Sequence, residues 1–245
     1  MPEIRRTPIA PTMARCLVAG ERIDPHLHDE HQIIYAARGV LEVTTDAGVW
    51  IAPATRAIWV PAGAVHAHRA HGELELHFVG LAATVNPLRL AEPTVLSVSP
   101  LLRELIMAYT GAAESAARRR IRAVLLDQLG TARQQPLHVP MPADSRLRGV
   151  CQILRADPAD GRTLAELGRE VGAGERTLTR LFRAELGMTF PQWRTQIRLH
   201  RALVLLAEDH PVTAVAHACG WSSASAFIEV FRHAFGHTPG HRLRR

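Results

Sequence analysis

His26 and His28 stand two residues apart, Gln32 follows, and a third histidine comes later in Pro61-x-Gly63-x-x-His66. Side chains two apart on a strand point to one face, so His26 and His28 share one. Imidazole nitrogens, and less strongly an uncharged Gln carbonyl, are donors for a divalent transition metal; Zn, Ni, Cu and Fe are all compatible. A polar effector pocket and plainly solvated histidines are the competing readings. Seven of the chain's 14 His fall between residues 26 and 77, so His31 and His68 are at hand to substitute as ligands or to orient them by hydrogen bonds.

A second set of residues is suited to nucleic acid. Residues 164–190 and 212–239 repeat one pattern: Leu164 meets Val212, Leu167 meets Val215, Gly172 meets Gly220, Phe182 meets Phe231 and Gly187 meets Gly236. Each copy reads as a short amphipathic helix, a glycine turn and a second helix, the signature of a helix-turn-helix. Thr163 and Glu166 have capping-box spacing and set the first helix start. Leu178, Leu181 and Phe182 share one helical face, which turns Arg176, Thr177, Thr179, Arg180 and Arg183 outward. Arg donates to guanine O6 and N7 or to phosphate, and Thr serves acceptors or a thymine methyl.

In the second copy Phe227, Val230 and Phe231 are the expected buried face, leaving Ser222, Ser223, Ser225 and Glu229 outward. These serines can cap the helix or bind a phosphate, and Glu229 can accept from cytosine N4. The first copy is therefore expected to carry more of the sequence reading. Between the copies Pro191 suits a first turn, and the apolar pattern then runs to Glu208. A helix of that length spans roughly 27 Å, of the order of the ~34 Å between successive major-groove faces.

The elements that must position these two sets differ in class. Residues 32–79 form short β-branched runs broken by Gly, Pro and Asp, which predicts compact antiparallel strands. Tyr35, Trp50, Trp59 and Phe78, with His68, are candidates to wall an effector cavity, and each is equally an ordinary core residue type. Helical periodicity takes over at 101–110 and 114–134. Three prolines within 134–144 mark an interdomain linker, and the chain beyond it is helical.

The net charge of +6 is uneven: residues 1–140 hold 14 Arg against 13 acidic residues, and 141–245 hold 15 against 10. A basic second half beside a neutral first half is the footprint of a nucleic-acid module joined to something else. Arg without any Lys points to a GC-rich bacterial genome. Cys16, Cys151 and Cys219 lack CxxC spacing, and no stretch approaches the ~18 apolar residues of a membrane span, so a cytoplasmic protein with no membrane partner is expected.

The segments LAELGREVG, RTLTRLFRAELG, PQWRTQIRLHRA and GWSSASAFIEVFRHAFGHTP resemble the DNA-binding domain of AraC/XylS-type bacterial transcription regulators. The histidine segments resemble the two cupin motifs, and the resemblance implies that His26, His28 and His66, with Gln32 in place of the usual carboxylate, face one interior and can hold a metal. The resemblance implies an α+β fold of two domains: an N-terminal cupin-like antiparallel β-barrel plus helices (1–95), then a C-terminal all-α double helix-turn-helix (141–245). Residues 96–140 are then a helical linker or homodimer contact, with Leu102, Leu105, Leu125, Leu126 and Leu129 free to pack inside or across it. The implied function is promoter binding under control of a small-molecule or metal effector. A metal-dependent cupin enzyme with accessory helices is the alternative, disfavoured by the missing carboxylate.

Overall fold

The computed structural model describes residues 4–135 and 138–240. It divides into two compact units, Met1–His138 and Val139–Arg244. In the first unit the strands are β1 (Arg5–Thr7), β2 (Met13–Leu17), β3 (Arg22–His28), β4 (His31–Thr45), β5 (Gly48–Pro53), β6 (Arg56–Val60), β7 (His66–Leu81) and β8 (Thr94–Ser97). Helices α1 (Pro100–Gly111) and α2 (Ala116–Gly130) and a two-residue β9 (Gln134–Gln135) come next.

β4 and β7, 15 and 16 residues long, pair antiparallel over most of their length and belong to both halves of the sheet. The early part of β4 pairs with β6, and its later part pairs with β5. On β7 the early residues take β3 and the later ones take β2. The pair bends where its register shifts, between Ala36 and Val40. Gly39 sits in that bend at φ +79°, where a Cβ would lie 2.4 Å from the Glu73 carbonyl oxygen, so a side chain there is excluded.

The expected closed barrel is corrected: the sheet runs β1-β3-β7-β4-β6-β8-β9, and its end strands do not pair with each other. Those ends are three and two residues long, too short to supply a closing ladder. Enclosure comes instead from the bent β4–β7 pair, which brings the two halves face to face. Leu17, Ile34, Leu41, Val43, Trp50, Ile58, Leu76 and Phe78 pack in one apolar cluster drawn from both halves. The opposite face, carrying Ile33, Tyr35, Trp59, Val79 and Leu81, packs with Leu102, Ile106, Leu125 and Leu129 of α1 and α2. Residues 96–130 are thus bound into the first unit, with Leu105 and Leu126 partly buried against the same cluster. Part of the predicted linker, at 136 and 137, lies outside the described residues, as do 241–245 at the end of the predicted DNA-binding domain.

A short strand, β10 (His138–Pro140), stands where the two units meet in sequence. The second unit is helical: α3 (Ser145–Ala156), α4 (Leu164–Glu170), α5 (Glu175–Leu186), α6 (Phe190–Ala207), α7 (Val212–Ala218) and α8 (Ala224–Phe235). The Thr163–Glu166 capping box opens α4, and a second box, Thr189 with Gln192, opens α6. Both α5 and α8 end on a left-handed glycine, Gly187 and Gly236, the residue type that closes a helix without Cβ strain. Leu147, Leu154, Leu167, Leu178, Phe182, Trp193 and Ile197 form one core, so α3, α4, α5 and the start of α6 are a single body.

The tight α4–α5 turn requires glycine at a position inside α4. A Cβ on Gly168 would stand 2.2 Å from the Ala173 carbonyl oxygen and 3.2 Å from Leu178 Cδ1. Gly168→Ala is expected to destabilise the C-terminal unit by about 1–3 kcal/mol through overpacking, read as a lower urea midpoint. Gly161→Ala, which meets nothing within 4 Å, serves as the control and should leave the midpoint where it is.

Candidate functional site

The β3–β7 register sets His26 opposite His66, and alternation brings His68 to the same face as His66. One ring nitrogen from each of His26, His66 and His68 lies within 4.8 Å of the other two. The His28 ring centroid lies 5.0 Å from that of His26 and 5.3 Å from that of His66. Two imidazoles on a tetrahedral ion would hold their nitrogens about 3.4 Å apart, so the set is slightly open relative to a closed coordination shell.

Tautomers follow from the partners. His26 Nδ1 lies 2.7 Å from the Asp24 carbonyl oxygen and His66 Nδ1 lies 2.9 Å from that of Ala64. A carbonyl oxygen only accepts, so each Nδ1 carries its hydrogen and each Nε2 presents a lone pair. Metal-binding histidines are commonly oriented in this way. His28 Nδ1 is 2.6 Å from the Thr7 hydroxyl of β1. Nε2 of His28 and His66 and both ring nitrogens of His68 are buried without a hydrogen-bond partner.

Burial also decides charge. It pushes the His66 imidazole down to about 4 and holds His68 well below its ordinary value, while repulsion among the rings acts in the same direction. His26 and His28 are lowered too, again chiefly by burial. At neutral pH the cluster is a set of uncharged nitrogen donors, the form that binds a metal ion.

Gln32 points to the same interior as Ile34 by alternation along β4, and both its amide atoms are buried and unpartnered. His31, one residue earlier, faces the other way. Its Nδ1 accepts from the Ala62 N–H at 2.9 Å and its Nε2 donates to the Ala83 carbonyl at 3.1 Å. With both nitrogens engaged it pins two loops, and the expectation that it could stand in as a ligand is corrected.

The aromatic residues are not brought together as one pocket wall. Trp50 and Phe78 lie in the interior, where Phe78 stacks on His68 with ring centroids 5.7 Å apart. Tyr35 and Trp59 lie under α1 and α2. Their polar atoms are satisfied there, Tyr35 Oη donating to Ala54 O at 2.9 Å and Trp59 Nε1 to Leu90 O at 3.3 Å. Strand alternation is the reason: odd and even positions of β4 and β6 face opposite sides of one sheet. His68, expected among the pocket residues, instead completes the histidine cluster. The spacing His66-x-His68 is the same two-residue signal that paired His26 with His28.

In the second unit Arg176, Thr179, Arg180 and Arg183 are exposed on α5, where with Glu175 and Ala184 they line one surface concavity. Thr177 is half-buried on the shoulder of that face. Ser222, just before α8, and Ser225 and Glu229 on it are exposed, while Ser223 is occupied as the N-cap, its oxygen accepting from Ala226 N at 3.2 Å. Phe227, Phe231 and Phe235 form the buried stripe, and Val230 is half-buried rather than core. Arg232 and His233 share a surface depression with Glu229, so this face is more basic than its serines suggested. They sit three and four residues beyond Glu229, a helical spacing legible in the sequence.

Two family descriptions match the chain: a cupin domain over residues 15–81 and a helix-turn-helix domain over residues 167–245. The HTH-type transcriptional regulator NimR of Escherichia coli K12 is 34% identical over 244 residues, spanning 95% of this chain and 88% of NimR. The chain belongs to the AraC/XylS family of transcription regulators. The regulator RipA of Corynebacterium glutamicum is 37% identical over 100 residues, 41% of this chain and 30% of RipA. Among solved structures, fatty-acid-bound ToxT of Vibrio cholerae aligns over 99% of this chain and 97% of its own, at 12% identity and a TM-score of 0.42. Among the described residues of this family member no helix is long and apolar enough to cross a membrane.

Because burial lowers His66 from 6.5 to about 4, the unfolded chain takes up a proton there before the folded chain does. The stability due to the neutral ring is fully present above pH 6.5 and is lost as pH falls toward 4, roughly 3 kcal/mol in all. Chelator-treated protein should therefore show a Tm that drops across this window, and His66→Asn should flatten the drop.

Proposed function

We propose that this regulator binds promoter DNA through α5 and α8 and senses a divalent transition metal at His26, His28, His66 and His68. The carrying observation is the convergence of His26, His66 and His68, with His28 beside them, in which Nε2 of His28 and His66 and both nitrogens of His68 are buried without partners. Unpaired buried polar atoms are costly, and an ion of the Zn, Ni, Cu or Fe class would satisfy one nitrogen of each ring together. Gln32 would complete the shell through its carbonyl or hydrogen-bond a ligand of the ion. A polar small molecule is the second occupant that the same unpaired donors and acceptors would suit.

The chain's own residues set the rest. Asp24 and Ala64 carbonyls fix two ring orientations, and the Thr7 hydroxyl anchors a third. On the DNA side, Arg176, Thr179, Arg180 and Arg183 would read bases and grip phosphates in the major groove. Ser222 and Ser225, with Arg232 and His233, would hold the backbone beside the second unit, and Glu229 is placed to meet a cytosine amino group. An effector acts by binding the DNA-competent arrangement better than the other, since equal affinity for both shifts nothing. Such a protein works in the cytoplasm on double-stranded DNA, and its output is transcription rather than turnover of a substrate.

Two experiments test this. Gel shifts on the DNA upstream of its own gene should show salt-sensitive specific binding, with Arg176→Ala and Arg180→Ala each costing about 1–3 kcal/mol; equal affinity for random DNA would sink the reading. Protein purified without a histidine tag should carry close to one transition-metal ion per chain by elemental analysis. His66→Ala/His68→Ala should lose that ion, and chelation should change the DNA affinity of the wild type but not of the double variant.

A further inference from the structure

Arg198, on α6, meets two separate segments of the C-terminal unit. Its Nε donates to the Pro158 carbonyl at 2.9 Å, in the loop between α3 and α4. Its guanidinium lies against Gly220, in the turn between α7 and α8, where a Cβ would stand 2.7 Å from Nη2. The same Cβ would be 2.8 Å from the Ala159 Cα. The α7–α8 turn therefore rests directly on the α3–α4 loop, with Arg198 filling the corner.

Both partners of this contact are stiff. Asp157 accepts from Ala159 N at 3.0 Å, and Asp160 accepts from the backbone and guanidinium of Arg162, so the loop is held by its own acidic residues. Arg194, one turn before Arg198, donates to the Arg162 carbonyl at the loop's far end. Gly220 sits at φ +78°, and its N–H donates to His217 O at 2.9 Å. Burial lowers the pKa of Arg194 and Arg198, and guanidinium groups nevertheless remain charged at neutral pH.

The position matters because of what each segment leads into. Thr163, the residue after Arg162, caps α4 and so starts the first helix-turn-helix; Ser223, three after Gly220, caps α8 of the second. Trp193 and Ile197 bind the front of α6 into the first core. Past Ala207 the chain reaches α7 through only residues 208–211. Helix α6 sets the distance between the two helix-turn-helix motifs, whereas their relative rotation needs a contact away from the α6 axis.

We propose that Arg198 is the positioning residue that locks the angle between recognition helices α5 and α8, and so makes the protein selective for the spacing of two DNA half-sites. This rests on the reading that both helices contact one duplex. Linking two binding modules rigidly multiplies affinity by roughly 10²–10⁴ when both sites are reached together, and that gain vanishes when geometry forbids it.

The test uses the full chain and a duplex selected in vitro from a random library. Three forms are compared: the selected duplex, one with either half scrambled, and one with two base pairs inserted between the halves. Wild type should lose about 30-fold or more on insertion, which rotates one half-site by about 70° relative to the other. Arg198→Ala should bind the first half alone within about twofold of wild type, lose about tenfold on the intact duplex, and show an insertion penalty below about threefold. Gly220→Ala attacks the same contact from the other side and should behave alike; Arg198→Lys substitutes if Arg198→Ala does not fold. A wild-type insertion penalty retained in these variants overturns the proposal, as does equal loss on the single-half and intact duplexes. A wild type indifferent to scrambling the second half overturns instead the two-helix reading beneath it.

Discussion

The N-terminal unit depends on one constraint: β4 and β7 are a single long antiparallel pair whose side chains alternate between two buried faces. Most sheets that alternate apolar and polar residues do so because one face is wet. Here one face meets the other half of the sheet and the other meets α1 and α2, so nearly every residue of early β4 is buried. Alternation then sorts chemistry rather than polarity. His66, His68, Gln32 and Phe78 go inward; His31, Tyr35 and Trp59 go under the helices, where each polar atom described finds a carbonyl or backbone N–H partner. Inward, the Gln32 amide, Nε2 of His28 and His66 and both nitrogens of His68 are left without partners. That asymmetry separates a site from a core more sharply than residue type does.

The C-terminal unit solves a different problem, because neither helix-turn-helix is large enough to bury a core alone. The first borrows α3 and the front of α6, with Trp193 and Phe182 at its centre. The second stacks Trp221, Phe227, Phe231 and Phe235 in a chain of rings 4.4–5.6 Å apart. Its buried stripe is broad and aromatic, which confines polar contacts to a narrow outer face running from Ser222 to His233. In the first unit the stripe is leucine-rich and the outer face carries three arginines. The two copies thus share glycine turns and the left-handed glycines that end α5 and α8, while their N-caps and outer surfaces differ.

Much of this was legible from the residues. Caps, glycine turns and the 3.6-residue stripe are local signals, and Thr163, Gly187 and Gly236 each do what their type and position imply. His26, His28 and His66 followed from period-two spacing and from the likeness to cupin motifs. What local pattern does not carry is which face of a strand will be covered and by what. Tyr35 and Trp59 fit a pocket wall until α1 and α2 are known to lie over them. His68 is open in sequence to a ligand, orienting or pocket-wall role, since the cupin pattern holds one histidine in that segment although His66-x-His68 has the spacing of His26-x-His28. Closure of the sheet was also beyond local reading, since it depends on the lengths of the end strands and on the bend at Gly39.

The same burial that makes the histidine cluster a good ligand set also makes it a source of instability when empty. Each buried polar atom without a partner costs on the order of 1–3 kcal/mol, and His28, His66 and His68 together leave four ring nitrogens in that condition. Two of the rings, His26 and His28, ride on β3, which is flanked by the three-residue β1 through Thr7 and through an exposed Arg6–Asp29 ion pair at 3.0 Å. An exposed pair of that kind contributes little, so the N-terminal strand holds weakly on its own. Filling the cluster would stabilise β3 first and β1 through it, because a ligand adds RT ln(1 + [L]/Kd) to whichever state presents the complete site. That stabilisation would extend as far as the residues paired with β3. In this fold that is the edge of the sheet that carries the chain's N-terminal strand, rather than the helix-covered face.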